Sequence, residues 1–423
     1  MTAGLSTLEI VAWGIITFSI LVVLHEGGHF LAARAFGVKV HEFMIGLPGP
    51  ALRLKTKNMV WGITAIPLGG YVRIAGMEPG AEDELLVPAL DAVRSAGTLD
   101  AAGLKAHLDA AGTVVEPERA DALLYTLADW KAVTDAGDGR CALAVDGDVA
   151  GLSARGLYER ARSVTYRGIA TWKRIVVLGM GVLINMLVAL LTFVVVLSVW
   201  GYYDMTTRIE DVTAGSPGEK AGLVVGDVIV SVDAEPIADW AAFQAALSTT
   251  KPGDEVTIGV QRGEATREVP VTLAEKDGHG FVGLMPTAVF VKPSVVGALG
   301  ESLRLTGMVF KAIAGFFNPG TFAASVGQSA GVVGISVMAA EAVEAGPLSY
   351  AWLIAMLSLS LGAMNILPLP PLDGGKIALE LIEGALGRPV HRTVTIALNA
   401  AGAVLLFSFI GYVMYADILR LAQ

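Results

Sequence analysis

Charge is scarce in this sequence of 423 residues, because only 17% of them are charged while 54% are hydrophobic. A soluble domain carries about 25% charged residues, so this deficit excludes an ordinary soluble protein and predicts a membrane protein. Basic residues are also few, with 30 against 40 acidic ones, which argues against a nucleic-acid partner. Cys141 is the only cysteine, which excludes an intrachain disulfide and a metal site built from several cysteines.

Four apolar segments are long enough to cross a bilayer, whose hydrocarbon core needs about 20 helical residues. We expect transmembrane helices at 8–36, 172–201, 349–375 and 395–417. The first segment has neither the basic start nor the small-residue cleavage site of a signal peptide, so we expect it to be retained.

Lysine and arginine cluster at both ends of the loop between the first two spans and are few near the ends of the loop after the second. Because positive charge marks cytoplasmic loops, residues 37–174 are predicted to be cytoplasmic and residues 201–349 extracytoplasmic. The lipid bilayer is thus a predicted partner.

The regions between the spans differ in character. Region 37–77 alternates β-forming residues with glycines and predicts a membrane-associated hairpin or small sheet. Region 78–165 is an acidic cytoplasmic insertion to which no chemistry can be attached. Region 206–287 predicts a compact β-rich domain, and 294–348 an amphipathic helix and a connector. The predicted fold is therefore a membrane α-helical bundle with a membrane-associated sheet and an inserted β-rich domain.

The strongest local motif is His25-Glu26-Gly27-Gly28-His29, which interrupts the first apolar segment. Two histidines four residues apart share one face of a helix and can bind one Zn²⁺. Glu26 lies beside them and can accept a proton from water. Three ionisable side chains inside a membrane helix are costly unless they are paired or bound to metal, which favours a metal site over a solvated helix face.

A catalytic zinc site needs a third protein ligand, and Asp373 is the candidate. It follows Asn365-Ile-Leu-Pro-Leu-Pro-Pro-Leu, where the prolines exclude a regular helix. Irregular backbone at membrane depth is tolerated only inside protein or beside a water-filled cavity. The break is thus predicted to deliver Asp373 into the interior of the bundle.

Together these motifs resemble the site-2 protease family, and in particular its bacterial, RseP-like intramembrane zinc metalloproteases. That family carries H-E-x-x-H in its first core helix and N-x-x-P-x-P-x-L-D-G in its third. The resemblance implies that His25, His29 and Asp373 bind Zn²⁺ and that Glu26 is the general base. It also implies that Asn365 helps to hold the substrate backbone.

The resemblance extends over most of the chain. Residues 62–77, with Gly69 and Gly70, are similar to the family's β-structure near the active site, which could pair with an unwound substrate. We expect the pairing edge near residues 63–66. Asn185, in Gly181-Val-Leu-Ile-Asn185, is similar to the family's G-P-x-x-N, with valine in place of proline, and is a candidate substrate contact or an interhelical hydrogen-bonding residue. Residues 216–229 resemble a circularly permuted PDZ domain.

The implied substrates are transmembrane proteins such as anti-sigma factors or remnant signal peptides. The implied location is the bacterial plasma membrane, with several spans, the PDZ-like domain outside and the active site toward the cytoplasm. The PDZ-like domain either recruits a substrate or excludes bulky ectodomains, and we favour exclusion.

Two other functions use the same residues. A metal transporter could line its path with histidines and carboxylates, although no inverted repeat is visible and Glu26 would then be superfluous. A catalytically inactive PDZ scaffold would not need a complete set of buried polar ligands. Replacing Glu26 by glutamine distinguishes the three, because only proteolysis should be lost.

Overall fold

The structure is a computed structural model that describes residues 5–56, 59–66, 69–77, 82–144, 151–248, 250–276, 279–327 and 329–421. The described residues form two compact units. One is drawn from Met1–Phe193 and Glu301–Gln423, and the other from Val194–Gly300.

The first unit begins with a long helix followed by a four-stranded sheet. These elements are α1 (Thr7–Ala35), β1 (Val40–Ile45), β2 (Ala51–Lys55), β3 (Val60–Thr64) and β4 (Gly70–Ile74). The strand order is β2-β3-β1-β4, with β1 and β3 parallel and the other pairs antiparallel.

Strand β3 is therefore interior, so our expectation of a pairing edge near residues 63–66 is wrong. The edges of the described sheet are β2 and β4. Leu52 and Leu54 on β2 are 83% and 69% exposed, which gives this edge an apolar surface. Such exposure is unusual in a soluble sheet and fits a sheet that contacts lipid.

The acidic insertion folds as a separate lobe. Its elements are α2 (Leu86–Ala96), β5 (Thr98–Leu99), α3 (Ala101–Ala110), α4 (Pro117–Asp129), β6 (Val133–Gly137), β7 (Arg140–Leu143) and α5 (Ala154–Arg162). Leu90, Leu104 and Leu127 are fully buried within it, so apolar burial holds the lobe together.

Asp129, at the end of α4, joins this lobe to the sheet. Its carboxylate lies 3.2 Å from His41 Nε2 and 3.2 Å from Arg73 Nη1, and it accepts a hydrogen bond of 3.0 Å from the Gly76 backbone. Burial alone raises the pKa of Asp129, but the bonds from His41 and Gly76 hold that pKa below its ordinary value. The lobe thus contacts both β1 and β4 through one ionised carboxylate.

After the lobe comes α6 (Thr171–Trp200), which leads into the second unit. That unit has the short helices α7 (Pro217–Lys220) and α8 (Trp240–Ser248). Its strands are β8 (Tyr202–Val212), β9 (Val228–Val232), β10 (Glu235–Pro236), β11 (Glu255–Arg262), β12 (Ala265–Thr272), β13 (Ala274–Lys276), β14 (His279–Phe281) and β15 (Leu284–Val291).

The main sheet of this unit has the order β12-β11-β9-β8-β15. Ile229, Phe243 and Ile258 are almost fully buried in its core. Strands β8 and β15 are antiparallel, and Tyr202 pairs with Val291, so the chain enters and leaves the unit side by side. The sequence analysis expected a compact β-rich domain over 206–287, and the strands from β8 to β15 lie in and beside this range.

The chain then continues as α9 (Val295–Gly315), α10 (Phe322–Gly327), α11 (Val332–Glu344), α12 (Pro347–Asn365), α13 (Asp373–Leu386) and α14 (Arg392–Leu421). Among the residues that the structure describes, four helices are long and apolar enough to cross a membrane, namely α1, α6, α12 and α14. The predicted span 349–375 differs from the structure, because α12 ends at Asn365 and Asp373 begins a new helix. The predicted connector also contains α11, which packs against α1.

Candidate metal centre

Helix α1 carries the H-E-x-x-H motif near its C-terminal end. The helix begins with a capping box, in which the Ser6 hydroxyl accepts from the Glu9 backbone and the Glu9 carboxylate accepts from the Ser6 backbone. His25 and His29 follow one turn apart and are 8% and 7% exposed. Both imidazoles are thus withdrawn from solvent on the same helix face.

Asp373 meets both imidazoles. Its Oδ2 lies 3.0 Å from His25 Nε2 and 3.1 Å from His29 Nε2, and the two Nε2 atoms are 3.3 Å apart. Ligand atoms held 2.0–2.1 Å from one tetrahedral Zn²⁺ would stand about 3.4 Å from each other. The spacing and chemistry of these three groups therefore fit a zinc ion.

The break between α12 and α13 places Asp373 at this point. Residues 366–372 connect the two helices through Pro368, Pro370 and Pro371, and Asp373 is the first residue of α13. Lys376, one turn further, donates to Asp373 Oδ1 over 3.2 Å. The two carboxylate oxygens thus have different partners, and Oδ2 is directed to the histidines.

Each histidine is oriented by a group behind it. His29 Nδ1 donates to the Val177 carbonyl on α6 over 2.8 Å, which leaves the Nε2 lone pair for the centre. The Asn185 amide, also on α6, lies 3.3 Å from His25 Nδ1. Asn185 is fully buried, and its backbone carbonyl accepts from the Ser358 hydroxyl of α12. This placement favours a positioning role for Asn185 over the predicted contact with substrate.

Helices α1 and α6 approach closely at this point. A Cβ atom added to Gly28 would lie 2.5 Å from the Met180 carbonyl oxygen, and one added to Gly181 would overlap His29 Nε2. Gly27, in contrast, has open space. Small residues let membrane helices pack at short range, and here they bring α6 against both imidazoles.

Helix α13 is anchored by buried charges that sequence reasoning missed. Glu380, two turns after Asp373, accepts from the Tyr166 hydroxyl over 3.0 Å and pairs with Arg174 over 3.1 Å. Glu383 pairs with Arg167 over 2.8 Å. Burial raises the pKa of the Tyr166 phenol, which therefore acts as a donor at neutral pH. The sequence did contain a signal for this anchoring, because Glu380 and Glu383 are acidic residues in an apolar stretch after the D-G-G motif.

The remaining predicted residues lie on neighbouring elements. The Asn365 amide donates to the Leu361 carbonyl within α12, so its contact with substrate stays a prediction. Gly70 begins β4 and lies against α1, where an added Cβ would overlap Val22 and come within 3.8 Å of Glu26 Cγ. Gly69 has a positive φ of 94° just before this strand. Strand β4 is thus the edge beside Glu26.

Two histidines, a glutamate and an aspartate on apolar helices define an HExxH metallopeptidase. The chain belongs to peptidase family M50, whose family model matches residues 13–409. The site-2 protease family predicted from the sequence is thereby confirmed.

Relatives match along nearly the whole chain. The zinc metalloprotease RasP of Shouchella clausii is 29% identical over 96% of this chain and 97% of its own. RasP of Geobacillus kaustophilus is 28% identical over 97% of this chain and 98% of its own. The metalloprotease MmpA of Caulobacter vibrioides is 28% identical over 95% of this chain and 93% of its own. The predicted enzyme class and the predicted metal, zinc, are confirmed by this family and these names.

A solved structure also matches part of the chain. The PDZ domain of an SdrC-like protein from Listeria monocytogenes is 23% identical, covers 20% of this chain and 90% of its own, and gives a TM-score of 0.18.

Proposed function

We propose that the chain is an intramembrane zinc endopeptidase that cleaves transmembrane segments of other membrane proteins. The observation that carries this proposal is the convergence of His25, His29 and Asp373 on one point, at distances that suit zinc. The three side chains come from α1 and α13, which are far apart in sequence. All three are buried, as a water-restricted membrane site requires.

In this proposal His25, His29 and Asp373 hold zinc, which when bound polarises the scissile carbonyl and acidifies a water. Glu26 accepts the proton of the attacking water and delivers it to the leaving amine nitrogen. Val177 and Asn185 fix the imidazole rings. In this hydrolysis the water oxygen bonds to the carbonyl carbon, and the C–N bond of the peptide breaks.

A transmembrane substrate must unwind before its carbonyls are accessible, since a helix uses them in its own hydrogen bonds. Strand β4 is the proposed receiving edge, because it pairs only with β1 within the described sheet and its first residue, Gly70, lies beside Glu26. An unwound substrate segment would add to this edge as a further strand. Asn365 is proposed to hold the same segment from the side of α12.

Substituting Glu26→Gln tests the proposed chemistry. The variant should bind stoichiometric zinc and fold normally, yet uncleaved substrates should accumulate in membrane fractions compared by quantitative proteomics. A matched control is Glu159→Gln, on the surface of the cytoplasmic lobe. Retained proteolysis by Glu26→Gln, or purified wild type without metal, would contradict the proposal.

We place the enzyme in a bacterial plasma membrane with the acidic lobe on the cytoplasmic side. The basic residues that flank α6 on the lobe side support this orientation, among them Arg167 and Arg174. The PDZ-like unit then lies outside. Cysteine labelling with a membrane-impermeant reagent checks it, at single engineered sites in the lobe and in the β8–β15 ribbon of a Cys141→Ala background.

We further propose that the PDZ-like unit excludes bulky ectodomains. Met205 pairs with Ala288 across the β8–β15 ribbon, so residues 206–287 can be replaced by a short turn without separating the two strands. Under exclusion this variant cleaves substrates that still carry an intact ectodomain. If the unit recruits substrates instead, the variant loses cleavage altogether.

A further inference from the structure

A cleft of about 430 Å³ lies beyond the metal centre, between the sheet, α13, α14 and the cytoplasmic lobe. Its volume is far larger than the roughly 30 Å³ that one water occupies. Strand β4 forms one wall through Val72, Arg73 and Ile74, and α13 forms another through Lys376 and Leu379. The cleft therefore touches α13, which carries Asp373, and β4, the proposed receiving edge.

The charged groups around the cleft already have partners. Arg73 pairs with Asp129 over 3.2 Å, Arg167 with Glu383 over 2.8 Å, and Lys376 with Asp373 over 3.2 Å. An ionic ligand would have to disrupt one of these pairs, which carries a large penalty when the residual charge is buried. The lining therefore favours a neutral ligand.

Two neutral polar side chains of α14 line the cleft. Thr395 and Asn399 are four residues apart and share one face of this apolar helix. Thr395 is 7% exposed, and its hydroxyl has no hydrogen-bond partner among the residues that the structure describes. A buried hydroxyl without a partner is costly, and polar groups in membrane helices mark functional cavities.

Strand β4 connects this cleft to the catalytic glutamate. Gly70 lies beside Glu26, and Ile74, four residues later, is about 13 Å away at 3.3 Å per residue. A polypeptide paired along the free edge of β4 therefore passes from the metal centre into the cleft within roughly two to five residues. Its backbone amides and carbonyls are neutral hydrogen-bonding groups, which matches the lining.

We propose that this cleft binds the extended flank of the substrate that leaves the membrane on the lobe side, with Thr395 and Asn399 hydrogen-bonding its backbone. The proposal rests on the proposed intramembrane endopeptidase activity. It assigns to the cleft a polypeptide ligand and to α14 a role in substrate binding.

The test uses the full chain and a reporter with one transmembrane segment of about 20 residues. A central Asn–Pro pair interrupts the reporter helix, so that the segment can unwind there. Thr395→Val and Asn399→Leu should each raise KM about 2- to 10-fold with kcat unchanged, as expected for one lost hydrogen bond. Thr393→Val is the matched control, because Thr393 is exposed on the same helix turn and should change neither constant. Unchanged KM in both cleft variants overturns the proposal.

A crosslinking measurement does not depend on turnover. Because Cys141 is the only cysteine, Cys141→Ala with Asn399→Cys provides one defined thiol. With a mild thiol oxidant added to take up the two electrons, reporters with single cysteines should form a disulfide with it only two to five residues from the scissile bond on the lobe-side flank, and Thr393→Cys should give none. Reporter cleavage without this position-dependent crosslink overturns the cleft assignment alone. Absence of both cleavage and crosslink overturns the endopeptidase proposal with it.

Discussion

The Asn185 side-chain amide lies 3.3 Å from His25 Nδ1, the ring nitrogen that does not face Asp373. A histidine that offers its Nε2 lone pair to zinc carries its proton on Nδ1 and donates it to an acceptor. The amide oxygen of Asn185 has no hydrogen-bond partner among the described residues, and rotating the amide by half a turn places that oxygen at Nδ1. In that orientation Asn185 would hold His25 in the tautomer that offers Nε2 to a metal.

We therefore expect Asn185→Leu to weaken zinc binding about 10- to 100-fold, the usual effect of losing a group that orients a metal ligand. Competition with a chelator of known affinity measures this change. Ser198→Ala is the control on the same helix, because that hydroxyl bonds carbonyls of α6 itself. Equal zinc affinity in Asn185→Leu and wild type would show that His25 needs no such partner.

The two glycines inside the H-E-x-x-H motif should respond differently to one added methyl group. Gly28→Ala places a Cβ 2.5 Å from the Met180 carbonyl oxygen, so α1 and α6 must separate, at about 1–3 kcal/mol. We expect lower thermal stability in detergent and loss of bound zinc. Gly27→Ala is the matched control, because that position faces open space. Similar melting temperatures for both variants would contradict the close helix packing.

Local spacing was enough to pair His25 with His29 as candidate ligands, because they share a helix face by geometry alone. The proline-rich break likewise predicted that Asp373 leaves the path of the third span. Spacing could not show that α12 ends at Asn365 and that a separate helix begins at Asp373. A hydropathy average over a window of residues does not resolve such a break. Packing sets the boundary between α12 and α13.

The strand order of the sheet was beyond the sequence for a similar reason. Residues 63–66 have the apolar pattern of an exposed edge, yet β3 lies between β2 and β1. Edge position depends on which strands pair. β1 and β3 pair in parallel, although β2 lies between them in the sequence. The contacts of Glu380 with Tyr166 and Arg174 are equally nonlocal, since 214 residues separate the hydrogen-bonded pair.

Those contacts predict a stability effect far from the metal. Glu380→Gln leaves Arg174 without its buried partner and should lower the free energy of unfolding by about 3–5 kcal/mol. Zinc affinity should fall as well, because α13 carries Asp373. Glu159→Gln, whose ion pair with Arg155 is exposed, should cost about 0–1 kcal/mol. Thermal unfolding in detergent compares the two, and equal shifts would refute the anchoring of α13.

The second unit, Val194–Gly300, contains a contact whose strength should depend on pH. Asp227 is fully buried, and the Arg262 guanidinium donates two hydrogen bonds of 2.7 Å to its carboxylate. These bonds hold the pKa of Asp227 below its ordinary value of about 3.9. A carboxyl group with a lowered pKa in the folded state stabilises the fold above its unfolded pKa, and this stability is lost as pH falls through the folded value.

We therefore expect the unit to hold constant stability from neutral pH to about pH 5 and to weaken below about pH 4. Hydrogen exchange of β9 in the full chain, corrected for the intrinsic rate at each pH, measures this change. Asp227→Asn should be less stable at neutral pH and should lose most of this acid dependence, while exposed Asp211→Asn should behave like wild type. An unaltered acid transition in Asp227→Asn would assign the pH dependence to other carboxylates, because the substitution removes the only group at this contact that titrates in that range.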